Sequence, residues 1–183
     1  MSNVFILADF SGGKATKTTA ELATAAARIG AVTAVVLAGA GKGAALAATV
    51  NQGPITNILI LESDDFAQFG VAACADALAN LIKEKSPAAV LIASDAYGKE
   101  SAARVAVLTE SGIITDAVDV AADATATQLV FGGSTTVHSK VSHGTPIITV
   151  RPNSVEADFS ASSPAIESAT ANIGDAAKKS KVS

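Results

Sequence analysis

Residues 91–120, LIASDAYGKESAARVAVLTESGIITDAVDV, begin with an apolar run, turn near Gly98 and continue with the spacing of a helix. Ligands of open α/β sheets collect just beyond the carboxyl ends of the strands, where Ser94 and Asp95 stand here. The backbone amides that begin the helix could receive a phosphate. Ser94 or Asp95 could equally cap the helix while Gly98 adopts a positive φ in the turn. The spacing alone leaves both interpretations of Gly98 and Lys99 open.

Short apolar runs alternate with helical patterns in the N-terminal part of the chain. The runs are apolar on both faces, which is typical of parallel strands in a sheet covered on both sides. They lie at residues 4–8, 32–37, 58–61 and 89–93. One helix is predicted from Thr18, which has capping-box spacing to Glu21, to a stop at Gly30. Another is predicted over residues 65–85.

The pattern changes after Asp116, where Thr- and Val-rich segments alternate with glycine-containing turns. Such segments are typical of antiparallel strands. The four predicted strands are residues 117–121, 128–131, 135–142 and 145–150. Residues 1–157 are therefore predicted to form one α/β domain, a three-layer sandwich of adenine-nucleotide-hydrolase-like or Rossmann-like type. Its sheet is mostly parallel, with an antiparallel strand-rich C-terminal part. Residues 158–183 lack periodicity and are interpreted as a linker or tail.

The composition limits the classes of function. The net charge is −4 and basic residues cluster only at Lys178, Lys179 and Lys181, so we expect no nucleic-acid partner. Cys74 is the single cysteine, and its alanine neighbours favour a buried apolar residue over a reactive thiol. Because the sequence contains neither a signal-peptide pattern nor an apolar run long enough for a membrane span, we expect a cytoplasmic protein.

Two further motifs could hold a ligand. Residues 39–43, GAGKG, follow a strand and open a helix, but they lack the first glycine and the hydroxyl of a P-loop. Ala44 also replaces the last glycine of a dinucleotide fingerprint, so we interpret the segment as a strand-to-helix turn. His138 and His143 lack nearby carboxylate or cysteine partners for zinc and are interpreted as surface histidines. Neither a serine elbow nor a catalytic carboxylate pair is present in the sequence.

Five short segments follow one another in a specific order. They are Gly98-Lys99, Ala103-Arg104-Val105-Ala106, Thr115-Asp116-Ala117-Val118, Val130-Phe131-Gly132-Gly133 and Thr149-Val150-Arg151-Pro152. Their order and spacing resemble the α subunit of electron transfer flavoproteins, in which a Gly-Lys or Gly-Arg opens a helix carrying Pro-Arg-x-Ala. The resemblance covers roughly residues 3–157. It departs at Ala103, Ser134 and Val155, where that family commonly has Pro, Asn and Phe.

The resemblance implies that this chain is the N-terminal scaffold domain of such an α subunit. Family α subunits continue into a second domain that holds most of the FAD, and nothing after Val155 is similar to its loops. The scaffold domain packs on a β subunit that carries AMP, so no cofactor is expected in this chain. The parent heterodimer would be an electron carrier rather than an enzyme. It would take electrons from flavin dehydrogenases, such as those of fatty acid β-oxidation, and pass them to a respiratory or other acceptor.

The resemblance also favours a structural role for Gly98 and Lys99, which would fix a turn and a subunit-facing helix. Arg104 and Arg151 would form structural or interface ion pairs. The full set of structural or interface candidates is Gly98, Lys99, Arg104, Asp116, Phe131 and Arg151. We expect an apolar interface within residues 116–152, with Phe131, Val137 and Ile148 exposed on it. The alternative is a small adenine-nucleotide-binding module of universal-stress type, with residues 39–43 or 94–99 as its nucleotide loops.

Overall fold

The computed structural model describes residues 2–179 and 181, which contain one nine-stranded sheet and a small separate hairpin. In sheet order the strands are β11 (Ala165–Ala169), β5 (Ile55–Glu62), β4 (Ala31–Ala38), β1 (Asn3–Leu7), β6 (Ala89–Ala93), β10 (Ile147–Val150), β7 (Ile113–Val120), β8 (Ala126–Val130) and β9 (Thr135–Ser139). All neighbours from β11 to β7 pair in parallel, and β8 and β9 are added antiparallel. The hairpin consists of β2 (Phe10–Ser11) and β3 (Lys14–Ala15). The predicted α/β fold with a mostly parallel sheet and an antiparallel addition is confirmed.

Helices cover both faces of the sheet. They are α1 (Lys17–Ala27), α2 (Gly43–Ala47), α3 (Asp65–Lys85) and α4 (Ala96–Leu108), with short 3₁₀ helices at Phe131–Gly133 and Asp175–Lys178. α1 and α2 pack on one face, and α3 and α4 on the other. The predicted helix over residues 65–85 is confirmed, although it kinks at Gly70, whose φ is 54°. No helix in the described part of the chain is both long and apolar enough to cross a bilayer.

Successive side chains of β1 point to opposite faces of the sheet and so pack into two separate hydrophobic cores. Val4 and Ile6 point to the α1 side, whereas Phe5 and Leu7 point to the α3 side. All four are buried, and a fully buried side chain of this size contributes roughly 1.5–3 kcal/mol relative to exposure. Because both faces are buried, the strands are apolar at almost every position, which is the pattern that predicted a parallel sheet.

The antiparallel assignment of residues 145–150 is wrong. β10 lies between β6 and β7 and is parallel to both. All four of its residues, Ile147–Val150, are buried, which is the requirement for a central strand covered on both faces. β7 likewise belongs to the parallel part of the sheet, so only the hairpin of β8 and β9 forms the antiparallel addition.

The predicted capping box at Thr18 and Glu21 is also wrong. Thr16 precedes the first residue of α1 and makes no side-chain cap hydrogen bond. Glu21 is 2% exposed, and its Oε2 accepts a hydrogen bond from the Asn153 amide at 2.9 Å. Its Oε1 lies 3.0 Å from Lys17 Nζ. The carboxylate that was expected to cap the helix instead fastens the loop after β10 to α1.

The segment after Val155 adds an edge strand to the sheet. β11 pairs in parallel with β5 from residue 165 to 169. Downstream, the Gly174 amide donates to Asp76 Oδ2 at 2.6 Å and Lys178 Nζ lies 2.8 Å from Asp65 Oδ2, which ties the segment to α3. The sequence did not predict this strand, because its side chains are mostly exposed and show no apolar alternation. The domain boundary at residue 157 stays a prediction.

Candidate functional site

A polar cluster lies at the carboxyl ends of β6 and β10, beside the middle of β7. Ser94 Oγ donates to Asp116 Oδ1 at 2.7 Å and lies 2.9 Å from Thr149 Oγ1. Lys99 Nζ reaches the same carboxylate, 3.2 Å from Oδ1 and 3.4 Å from Oδ2. The Asp116 amide donates to Thr149 Oγ1 at 3.0 Å. The Asp116 carboxylate therefore joins β7 to the end of β6 and to α4, and the Asp116 amide joins β7 to β10.

Asp116 occupies an unusual backbone position that makes this cluster possible. Its φ is 57°, and the pairing of β10 with β7 shifts register at this point. Aspartate tolerates the left-handed region better than most residues. The Ser94 hydroxyl and the Lys99 ammonium lower the pKa of the Asp116 carboxyl, and Arg151 adds a smaller effect. The cluster therefore holds a carboxylate rather than a carboxylic acid at neutral pH.

The expectation of a positive φ at Gly98 is wrong. Gly98 lies in the first turn of α4, and its φ is not positive. A Cβ built there would stand 1.9 Å from the Ala93 carbonyl oxygen, far inside van der Waals contact. The Gly98 amide donates to the Asp95 carboxylate at 2.6 Å, which makes Asp95 the cap of α4. Glycine is required here because the helix approaches the end of β6 closely.

Three backbone amides of the loop at residues 39–43 donate hydrogen bonds to carboxylates of the same chain. The Gly43 amide donates to Glu62 Oε1 at 2.6 Å and the Gly41 amide to Glu62 Oε2 at 3.2 Å. The Ala40 amide donates to Asp64 Oδ1 at 3.2 Å. A phosphate would have to displace these carboxylates. The geometry therefore agrees with a strand-to-helix turn.

The two arginines named from the sequence are both at the surface. Arg104 pairs with Glu100 one turn earlier on α4, with Nη2 to Oε1 at 2.8 Å. Such an exposed pair contributes little to stability, about 0.3–0.5 kcal/mol. Arg104 also borders an open apolar groove of about 450 Å³ between α3, α4 and the 3₁₀ helix Asp175–Lys178. Arg151 forms no ion pair with any residue that the structure describes.

The hairpin of β8 and β9 carries the most exposed large apolar side chain of the described residues. Phe131, at its tip, is 85% exposed. Val137 is half-buried on β9. The expectation that Ile148 is exposed is wrong, because it is fully buried in β10. The remaining candidate interface is therefore the hairpin itself rather than the whole strand-rich region.

The histidines and the cysteine take the positions expected of structural residues. His138 Nδ1 lies 3.2 Å from Thr127 Oγ1 across the hairpin, and His143 lies in the loop before β10. No group of three potential metal-ligating side chains forms among residues 2–179 and 181. Cys74 is buried, as predicted, and burial raises the pKa of its thiol. None of these side chains joins the polar cluster.

Two residues of the site, Thr149 and Glu62, were not among the candidate site residues named from the sequence. Thr149 was assigned to an antiparallel strand, so it was not placed beside Ser94. Glu62 was not connected to the glycine loop, although it ends β5, the strand that pairs with β4 immediately before that loop. An acidic residue at the carboxyl end of a neighbouring parallel strand was the available signal. The serine in the cluster donates to a carboxylate and has no histidine beside it, so the arrangement provides structural hydrogen bonds rather than an activated nucleophile.

Comparison with known proteins gives a consistent result. A family model described as the electron transfer flavoprotein domain matches residues 4–180. Electron transfer flavoprotein subunit alpha of Mycobacterium tuberculosis is 37% identical over 158 residues, which is 86% of this chain and 50% of the relative. The proteins of the same name from Mycobacterium leprae and Syntrophomonas wolfei are 37% and 28% identical, over 86% and 91% of this chain and 49% and 53% of their own lengths. The chain thus spans about half the length of these curated relatives. It belongs to the electron transfer flavoprotein family, as an N-terminal domain of the α-subunit type.

Proposed function

We propose that this domain is the assembly scaffold of an electron transfer flavoprotein α subunit and that it joins a β subunit through the β8–β9 hairpin. The observation that carries this proposal is the exposure of Phe131, 85%, at the tip of that hairpin. Leu129, on the same hairpin, is 39% exposed. Aromatic residues are enriched at the centres of protein interfaces and often dominate their affinity. The hairpin is thus suited to become buried against a partner.

The polar cluster supports the same function from inside the domain. Asp116 lies on β7, which pairs with β8 of the hairpin, and Lys99 lies on α4. The ion pair between them, together with Ser94 and Thr149, fixes β7 relative to β6 and β10. Gly98 lets α4 approach closely enough for this contact. In our proposal these residues hold the hairpin in a fixed orientation for assembly.

We place the cofactors outside this domain. FAD would supply the redox chemistry of the full-length protein, and AMP would lie in the β subunit. Neither glycine turn named from the sequence fits a phosphate group well, because the Gly41 and Gly43 amides donate to Glu62 and the Gly98 amide donates to Asp95. The protein would act as an electron carrier rather than an enzyme. In the cytoplasm it would connect flavin dehydrogenases, including those of fatty acid β-oxidation, with a respiratory or other acceptor.

A nucleotide-binding module of universal-stress type finds less support. The phosphates of a bound nucleotide would need free backbone amides at residues 39–43 or 94–99. The amides of Gly41, Gly43 and Gly98 donate to carboxylates instead. A chain with this function should bind AMP or ATP with micromolar affinity and lose that affinity in the Lys99→Ala variant. We expect neither nucleotide to bind in a calorimetric titration.

Co-expression with a β subunit tests the proposal. The wild-type domain should form a complex, and Phe131→Asp should weaken it by about tenfold or more, as loss of a central aromatic contact does. Phe159→Asp is the matched control, because Phe159 is also exposed, at 52%, but lies in the C-terminal segment outside the hairpin. Both variants should melt close to wild type. Equal binding by Phe131→Asp and wild type, or a wild-type domain that ignores the β subunit at concentrations on the order of 10 µM, would contradict the proposed interface.

The absorbance of the purified domain tests the placement of the flavin. The protein should be colourless, because we place the FAD site outside this domain and the amides of Gly41, Gly43 and Gly98 already donate to carboxylates. Stoichiometric flavin absorbance that survives gel filtration would refute this placement. It would not by itself refute assembly through the hairpin, so the two parts of the proposal fail separately.

A further inference from the structure

A cleft lies at the carboxyl ends of β1, β4 and β6, a region that the proposed function does not use. Its volume is about 300 Å³. Aliphatic side chains from β1 and β4 form part of its lining, and Phe10 and Tyr97 contribute aromatic rings. Two carboxylates, Asp9 and Asp95, complete it. This is the edge at which parallel α/β sheets usually bind their ligands.

The two carboxylates face the cleft without a counterion. Asp9 Oδ2 accepts from the Thr16 hydroxyl at 2.6 Å, and Asp95 Oδ1 accepts from the Gly98 amide at 2.6 Å. Within residues 2–179 and 181, the other oxygen of each carboxylate receives no hydrogen bond, and neither group forms an ion pair. The lining contains no lysine or arginine. The cleft therefore has a negative potential and free acceptor oxygens.

Tyr97 is oriented in a way that adds a second, independent feature. Its hydroxyl lies beside Cys74 and Ser101, and burial raises its pKa, while the residue as a whole remains 45% exposed. Tyrosines near a surface usually keep the polar tip in water and the ring against the protein. Here the hydroxyl is buried, and Tyr97 is one of the residues that line the cleft. An exposed aromatic ring attracts cations through its π-electrons.

We propose that this cleft binds a small organic cation, an amine or guanidinium carried on a short aliphatic body. The carboxylates would accept hydrogen bonds from the cationic group, and the aromatic and aliphatic lining would contact the body. A volume of about 300 Å³ is at the lower end of small-ligand sites, which matches a ligand of this size. The two carboxylates disfavour a phosphate-bearing ligand at the same place, because they carry the same sign of charge.

The sole tyrosine of the chain provides a site-specific reporter. The sequence contains one tyrosine and no tryptophan, so intrinsic fluorescence arises from Tyr97, which lines the cleft. Agmatine, a guanidinium on a short aliphatic chain, should change this fluorescence saturably below about 10 mM, the range of a weak but specific site. N-butylurea, an uncharged compound with an aliphatic chain of the same length, and AMP should leave the fluorescence unchanged. Acetyl-arginine amide, as a second probe, distinguishes a free cation from a partner's arginine: tighter binding of this peptide-like probe would identify a side chain as the natural occupant.

Charge-removing variants complete the test. Asp9→Asn and Asp95→Asn should each weaken agmatine binding about tenfold, because each removes one charge-assisted contact. Asparagine is also a good helix cap, so Asp95→Asn should keep α4 intact. Glu84→Gln is the matched control, because Glu84 pairs with Lys85 at the C-terminal end of α3 and does not line the cleft. This variant should leave the affinity for agmatine unchanged. No saturable response, equal binding of AMP, or unchanged affinity in both aspartate variants would overturn the proposal.

Discussion

Replacing Gly98 with alanine should destabilise the domain even though alanine is the better helix former. A Cβ at this position would stand 1.9 Å from the Ala93 carbonyl oxygen and 3.1 Å from Ile92 Cγ2. Relieving the first contact requires α4 and β6 to separate by more than about 1 Å, and overpacking of a core typically costs roughly 1–3 kcal/mol. Because the obstacle is backbone of a central strand, we take the upper value, about 3 kcal/mol, and subtract about 1 kcal/mol for helix propensity. The net loss is about 2 kcal/mol.

Urea denaturation measures this loss directly, and thermal melting should show a decrease of about 4–8 °C for a domain of this size. Gly39→Ala is the matched control, because its φ is not positive and the nearest atoms to a Cβ are 3.7 Å away. It should be neutral or slightly stabilising, by about 0.4–1 kcal/mol. If Gly98→Ala is as stable as wild type, the close approach of α4 to β6 is not what requires glycine, and the reasoning fails.

Three further predictions concern the polar groups. Glu62→Ala should reduce the free energy of unfolding by about 1 kcal/mol, because the Gly41 and Gly43 amides lose their acceptor; an unchanged urea midpoint would show that the loop does not depend on it. Burial raises the pKa of Tyr97 in the folded state. Any difference in the free energy of unfolding by which the wild type exceeds Tyr97→Phe should therefore be fully present below the unfolded pKa of about 10 and be lost as the pH rises beyond it. Spectrophotometric titration of this single tyrosine should show ionisation only above that pH, and a normal titration would refute its buried hydroxyl. The folded state lowers the pKa of Asp116, so the advantage over Asp116→Asn, at most about 1 kcal/mol for an exposed ion pair, should be present above about pH 4 and disappear below it.

The parallel strands were predictable because burial on both faces leaves a local pattern. β1, β4, β5 and β6 each appear in the sequence as an apolar run. β10 has the same apolar character at Ile147–Val150. Its position between β6 and β7, however, depends on the pairing of the other strands, which leaves one edge of β6 and one edge of β7 free. A four-residue run contains no information about that. β11 was not predicted at all, because an exposed edge strand needs no apolar pattern.

The sequence identified individual residues of the candidate site but not the contacts between them. Lys99 and Asp116 were both selected by resemblance, yet nothing in the sequence pairs two residues that are 17 positions apart. Thr149 could not be added while β10 was misplaced. Gly98 was selected as a structural residue on the expectation of a positive φ, and that expectation was wrong, because local conformational rules do not detect a close approach between a helix and a strand.

The central position of β10 has a consequence for the order in which this protein can be built during synthesis. A ribosome-bound chain that has not yet produced Ile147 can assemble β5, β4, β1 and β6 as one half-sheet and β7, β8 and β9 as another. The two halves have no edge in common until β10 emerges and pairs with β6 on one side and β7 on the other. Nascent fragments ending before residue 147 should thus expose the β6 and β7 edges in addition to the β5 and β9 edges, and exposed strand edges are templates for pairing with other chains. The four residues of β10 join the two halves, and β11 then pairs with the β5 edge.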